Sequence, residues 1–242
     1  GILAEFFGYA PAGIRPAARA LWCLGARPHI QRPCTKANHD GTVVYGTCSV
    51  TSPYGDCVVC PNRLYEGAYQ ALRKIAAEVF DPALPFFTYA EFVAQRGRHA
   101  ACVVALGQNS GREIKLGRSM AMDWVLARVE HNALVAHVGV EVQSIDITGN
   151  YRDCWHAYRN LKPGETVETA SAHGLNWANV HKRLIPQIIR KGLIYSRSKR
   201  TASGLYFVVP EIVYRKFEDI VGKDLMPVAD AAPDVLTVHT YG

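Results

Sequence analysis

The sequence predicts an α/β domain with a small cysteine-rich module ahead of it, on three observations. Short apolar, β-prone runs recur at Ala101–Leu106, Trp124–Val129 and Val138–Ile145, separated by turn chemistry. Apolar residues at helical spacing precede them, with Leu64, Ala68, Ala71, Leu72, Ile75 and Val79 on one face between Pro61 and Phe80. Four of the seven cysteines crowd into the stretch from Cys34 to Cys60. With 242 residues, 49% of them hydrophobic, the chain can bury a sizeable core, and a charged fraction of 20% argues against wholesale disorder. No apolar run approaches the roughly 20 residues of a membrane span. The opening Gly1-Ile2-Leu3-Ala4-Glu5 has neither the basic start nor the long apolar run of a signal peptide.

Taken in order, residues 1–33 hold one apolar stretch, Ala17 to Leu24, expected as a helix after Pro16. The cysteine module follows, then the helix from Pro61, which Asp81-Pro82 ends. A short helix is expected at Tyr89–Gln95. After the strand at 101–106, Gly107-Gln108-Asn109-Ser110-Gly111 is a turn that lacks the Lys-Ser/Thr ending of a phosphate loop. Asp153–Leu161 reads as a helix. Asn176 caps another, with Trp177, Val180, Leu184 and Ile188 on one face and Pro186 expected to kink or split it. Leu193–Tyr195 and Leu205–Val209 read as a hairpin around a basic tip, Ser196–Ser203. Tyr214–Ile220 is the last helix, and a loosely ordered tail is expected after Pro227. The division is therefore 1–80 (helices with the cysteine module), 81–226 (core, with a basic region at 171–204) and 227–242 (tail).

Cys34, Cys48, Cys57 and Cys60 have the makings of a structural metal site. The Cys57-Val-Val-Cys60 knuckle lets two thiolates bind one ion, and soft ligands suit zinc or iron. The stretch is poor in large apolar groups, so a metal would supply folding energy. Disulfides and a redox pair are the alternatives. The missing signal peptide argues against the first, and the missing βαβ setting against the second. Cys23, Cys102 and Cys154 read as small buried hydrophobes.

The chemistry centres on Met122–Tyr151. Asp123 opens one strand, and Glu141 and Gln143, two apart in the next, project to the same face. If the two strands pair, two carboxylates and an amide converge where a hard cation such as Mg²⁺ fits. The plain alternative is a set of ion pairs, but Glu141 sits among Val138, Val140 and Val142, where an unpaired carboxylate is costly. Glu113 is a further, weaker acid candidate. Asp146, at an odd offset from Glu141, is expected to cap the following turn.

Net charge is +6, and no acid lies between Glu168 and Glu211. This interval suits a polyanion. Asn176, Asn179, His181, Lys182, Arg183, Arg197, Lys199 and Arg200 are the candidate DNA contacts, being types that hydrogen-bond base edges and phosphates.

Three pieces, Cys57-Val-Val-Cys60-Pro61-Asn62-Arg63, Met122-Asp123-Trp124-Val-Leu-Ala-Arg128 and Val140-Glu141-Val-Gln143-Ser-Ile-Asp146-Ile-Thr-Gly149-Asn150-Tyr151, together resemble the NotI family of type II restriction endonucleases, over roughly Cys34 to Phe217. The resemblance implies a PD-(D/E)XK nuclease core with a central mixed sheet flanked by helices, a homodimer acting on double-stranded DNA, and a cytoplasmic, prokaryotic setting. It implies catalytic Mg²⁺ on Asp123 and Glu141 with Gln143 beside them, structural iron or zinc on the four thiols, and cleavage at a specific GC-rich palindrome. A cognate DNA methyltransferase would act on the same site. Gln143 stands where lysine is usual in the superfamily, and glutamine cannot carry the positive charge. The competing readings are a non-catalytic DNA-binding protein and a repair or mobile-element nuclease of the same superfamily.

Overall fold

Residues 204 to 210 read Gly-Leu-Tyr-Phe-Val-Val-Pro, and a strand apolar on both faces must be covered on both sides. The computed structural model describes residues 1–11, 26–27, 32–34, 40–107, 112–116, 120–160, 162, 165–166, 169–224, 227–228 and 232–241. In chain order the elements are β1 (Ile2–Phe6), β2 (Ala26–Arg27), β3 (Arg32–Pro33), β4 (Thr47–Ser52), β5 (Gly55–Val58), α1 (Glu66–Val79), β6 (Phe86–Thr88), α2 (Tyr89–Ala94), β7 (Ala101–Gly107), β8 (Ile114–Leu116) and β9 (Met120–Met122). There follow β10 (Trp124–Glu130), β11 (Ala133–Val142), α3 (Arg152–Arg159), α4 (Trp177–Ser196), β12 (Thr201–Pro210), α5 (Glu211–Val221) and β13 (Leu236–Tyr241).

The fold is mixed α/β. Its central sheet has six strands in the order β13-β12-β11-β10-β7-β6. β10 runs antiparallel to β7 and β11, whereas β6–β7, β11–β12 and β12–β13 are parallel pairs. Strand alternation sorts the core into two faces. Leu205, Phe207, Val209 and Val125 face α4, α5, Tyr151 and the N-terminal residues Leu3, Phe6 and Phe7. Tyr206, Val208, Trp124, Leu126, Val138 and Val140 face Leu72, Ile75 and Ala76 of α1. Full burial of Leu72 and Ile75 contributes about 1.5–3 kcal/mol each. Among the described residues no helix is long and apolar enough to cross a membrane.

Several sequence expectations change. Among the described residues of the N-terminal region, strands join the helix expected from Pro61. β1, β4 and β5 make a three-stranded sheet whose Phe6, Phe7 and Val50 join the same core as β12, and the helix expected at Ala17–Leu24 lies outside the described residues. The expected tail supplies β13, whose Leu236–Tyr241 pair in parallel with Leu205–Pro210 and close one side of the central sheet. The expected hairpin is half helix. Leu193–Tyr195 belong to α4, which runs unbroken through Pro186. There the apolar face Val180, Leu184, Tyr195 outweighs the one backbone N–H that proline lacks. The strand expected to Ile145 ends at Val142.

Candidate active site

A tight hairpin sets the register of the two acids. His131 and Asn132 both take positive φ, 48° and 64°, as a two-residue connection of primed type requires. From Glu130 opposite Ala133, with one bulge between Arg128 and Val129, the ladder runs to Trp124 opposite Val140. One step further brings Asp123 across from Glu141. Each carboxylate then reaches the other strand. Asp123 N–H donates to Glu141 Oε1 at 3.3 Å, and Val142 N–H donates to Asp123 Oδ2 at 2.9 Å.

Glu141 projects towards α4, where Lys191 Nζ lies 2.5 Å from its Oε2. Glu141 is 1% exposed and Lys191 4%, and they are the only fully buried charged side chains among the described residues. Burial, and then the charge of Asp123, push the Glu141 carboxyl up to about 7, against the pull of Lys191. Burial also raises Asp123, with the Val142 N–H and Lys191 opposing, although solvent still reaches its side chain. Two carboxylates against one ammonium leave the site short of positive charge. A hard divalent cation fits that donor set and would lower both proton affinities.

The approach of α4 is fixed one turn along. A methyl on Gly139 would lie 2.4 Å from the Tyr195 ring and 2.7 Å from Met122 Cε, so only glycine lets the helix sit this close to β11. Tyr195 also stacks on His137 at 5.6 Å.

The other expected site residues are placed differently. Gln143 lies just beyond β11. Its N–H donates to Val208 O at 3.0 Å and its side-chain amide to Ser144 O at 2.6 Å, and among the described residues it bonds to neither carboxylate. Glu113 is exposed ahead of β8 and pairs with neither acid. Asp146 does not cap the next turn. It accepts from Asn179 Nδ2 at 2.8 Å and pairs with Arg183 at 3.3 Å, anchoring the start of α4.

Asn176 caps α4 by accepting from Asn179 N–H at 3.3 Å. His181 is half-buried against Val213, Phe217 and Ile220 of α5. Lys182, Arg183 and Arg190 are exposed along α4 and Arg197 directly after it, and Lys199 and Arg200 are exposed in the turn that follows. From Lys182 to Arg197 the helix rises about 22 Å, roughly six base pairs of duplex.

Cys34, Cys48, Cys57 and Cys60 are all buried. Cys48 bonds to Cys60, which together with burial and the nearness of Cys34 pushes its thiol up. Cys57 stands apart. It packs with Leu3, Phe6 and Tyr151, and burial alone raises it to about 12. Among the described residues no set of three or more His, Cys, Asp or Glu side chains is arranged to hold a metal ion, so the structure adds no support to the four-thiol site that the spacing suggests. Cys102 and Cys154 are buried as expected, and Cys23 lies outside the described residues.

Lys191 is the residue the sequence reading missed as part of the site. Its signal was a lysine on the stripe Val180, Leu184, Tyr195, opposite a strand that buries a lone glutamate between valines. No protein-family model and no curated protein sequence matches the chain.

Proposed function

We propose that the chain is a Mg²⁺-dependent type II restriction endonuclease with a PD-(D/E)XK core, cutting duplex DNA at a GC-rich palindrome as a homodimer. The observation that supports this best is Asp123 facing Glu141 at the end of a central hairpin in a mixed sheet, the pairing the resemblance implies. Asp123 and Glu141 would hold Mg²⁺, whose charge would offset that of the phosphate and lower the pKa of a water so that it can act as the nucleophile near neutral pH. Asp123 is held for this by the Val142 N–H, and Glu141 by Lys191. The Gln143 amide, two residues past Glu141, can orient a water but cannot take its proton. Attack in line with the 3′ oxygen would leave a 5′ phosphate and a 3′ hydroxyl. No step of this chemistry involves the four thiols.

The test is cleavage of long GC-rich DNA with Mg²⁺ by the wild-type chain beside Asp123→Ala. Discrete fragments from the wild type alone support the reading. Uncut DNA in both Mg²⁺ and Mn²⁺ overturns it.

A second reading is favoured by one observation. The exposed basic residues of α4 and of the turn after it lie outside the buried Glu141–Lys191 pair, so they serve a DNA-binding protein equally well without hydrolysis. That reading expects salt-sensitive duplex binding and intact DNA.

A further inference from the structure

We propose that Lys191 is the positioning residue of the carboxylate site. It holds one oxygen of Glu141, limits how tightly a divalent cation is bound, and supplies from a helix the positive charge that Gln143 cannot supply from the strand. The inference rests on the nuclease reading above.

The geometry is specific. Lys191 Nζ takes Glu141 Oε2 at 2.5 Å, while Oε1 receives only the longer 3.3 Å bond from Asp123 N–H. The carboxylate is thus turned, with one oxygen committed to the helix and the other directed to the Asp123 side. Two rungs fix the distance between α4 and β11. Glu141 meets Lys191, and Gly139, two residues earlier on the same strand face, meets Tyr195, one helical turn later. A surface ion pair would need no such bracing. The charges make the same point. Without Lys191 the site would hold two close carboxylates, a stronger cation trap whose Glu141 could turn both oxygens to the ion. With it, a cation finds a site of moderate charge, and an ammonium stays beside the place where the phosphate gathers charge in the transition state.

The prediction is a split in sign. Mn²⁺ affinity is read by electron spin resonance without DNA, and cleavage is read separately. Lys191→Met should bind Mn²⁺ about tenfold more tightly and cut DNA about a hundredfold more slowly. Lys191→Arg should keep the affinity within a few-fold of the wild type. Gln143→Lys added to Lys191→Met should recover part of the cleavage by returning an ammonium from the strand. Where Lys191→Met does not fold, Lys191→Gln, which can still donate to Glu141, carries the same two expectations. Affinity and cleavage falling together, or neither changing, overturns the proposal and leaves Lys191 a structural counter-ion. A wild-type chain that cuts no duplex overturns the nuclease reading instead, while the Mn²⁺ measurement still judges Lys191.

Discussion

Two clusters of ionisable side chains can be compared, the carboxylates of the central hairpin and the thiols of the N-terminal sheet. Both come from suggestive spacing. Asp123 and Glu141 meet because a two-residue turn and an almost uninterrupted ladder leave them one arrangement. The thiols have no such constraint. Cys48 and Cys60 are joined through a backbone turn, in which the Val59 and Cys60 N–H groups both donate to Cys48 O. Cys57, across the β4–β5 ladder from Val50, is drawn into the apolar core. Spacing within one hairpin is therefore a stronger guide to a site than spacing across loops.

The comparison breaks most sharply at the carboxylates. Asp123→Ala should lower cleavage at least a thousandfold with little loss of stability, since solvent already reaches this side chain. Glu141→Ala should abolish cleavage as well and also cost about 3–5 kcal/mol, because it strands Lys191 buried without a partner. Thermal melts beside cleavage assays separate the two, and equal stability losses would contradict the difference in burial.

A pH titration sharpens the same contrast. The Glu141 carboxyl is raised from an ordinary 4.5 to about 7, so the folded chain holds this proton more tightly than the unfolded chain. Metal-free stability should then rise as pH falls from about 7 towards 4.5, by up to about 3 kcal/mol, until other groups titrate. Asp123 contributes in the same direction. Saturating Mg²⁺ should flatten the profile, and denaturant unfolding at pH 5.5 and 8 measures both effects. A metal-free chain more stable at pH 8 would refute the assignment.

At the thiols, Cys57→Ala should cost about 1–2 kcal/mol through lost packing and leave the reactivity of Cys48 towards a thiol reagent unchanged. Coupled reactivity would show that the four thiols act as one site. The smallest effect is in the turn. Asn132→Gly should stabilise the hairpin by about 0.5 kcal/mol, because glycine takes φ 64° without strain, and melting temperature reads it.

Much of this was legible in the sequence. The strands expected at 101–106, 124–129 and 138–145 fall on β7, β10 and β11 because apolar β-prone residues run between turn signals, although β11 begins at Ala133 and ends at Val142, and Asn176 marked the start of α4 through its side chain. Leu193–Tyr195 was misread because a three-residue apolar run fits strand and helix alike, and the lysine at position 191 hid the longer helical stripe. β13 was missed because Leu-Thr-Val-His-Thr-Tyr follows a polar stretch, and only its partner β12 makes a strand of it. Phe6 and Phe7 lie near the chain start with no periodic pattern around them, so their burial is a tertiary fact. Lys191 was passed over as a site residue, despite its place on the apolar stripe, because a charge on a helix is ordinarily solvated and its partner lies in a distant strand.

The parallel pairing of β12 with β13 has a consequence for synthesis on the ribosome. A parallel neighbour cannot fold back through a tight turn, so α5 and the segment after it must emerge before β12 gains its second partner. Until then the nascent chain presents a long, almost wholly apolar strand with a row of open hydrogen-bonding groups, a template for wrong partners. The carboxylates, their hairpin and the lysine that holds Glu141 are by that time already outside the exit tunnel. The chemistry of the site can be assembled before the sheet that supports it is sealed, and this interval is when a chaperone has most to protect.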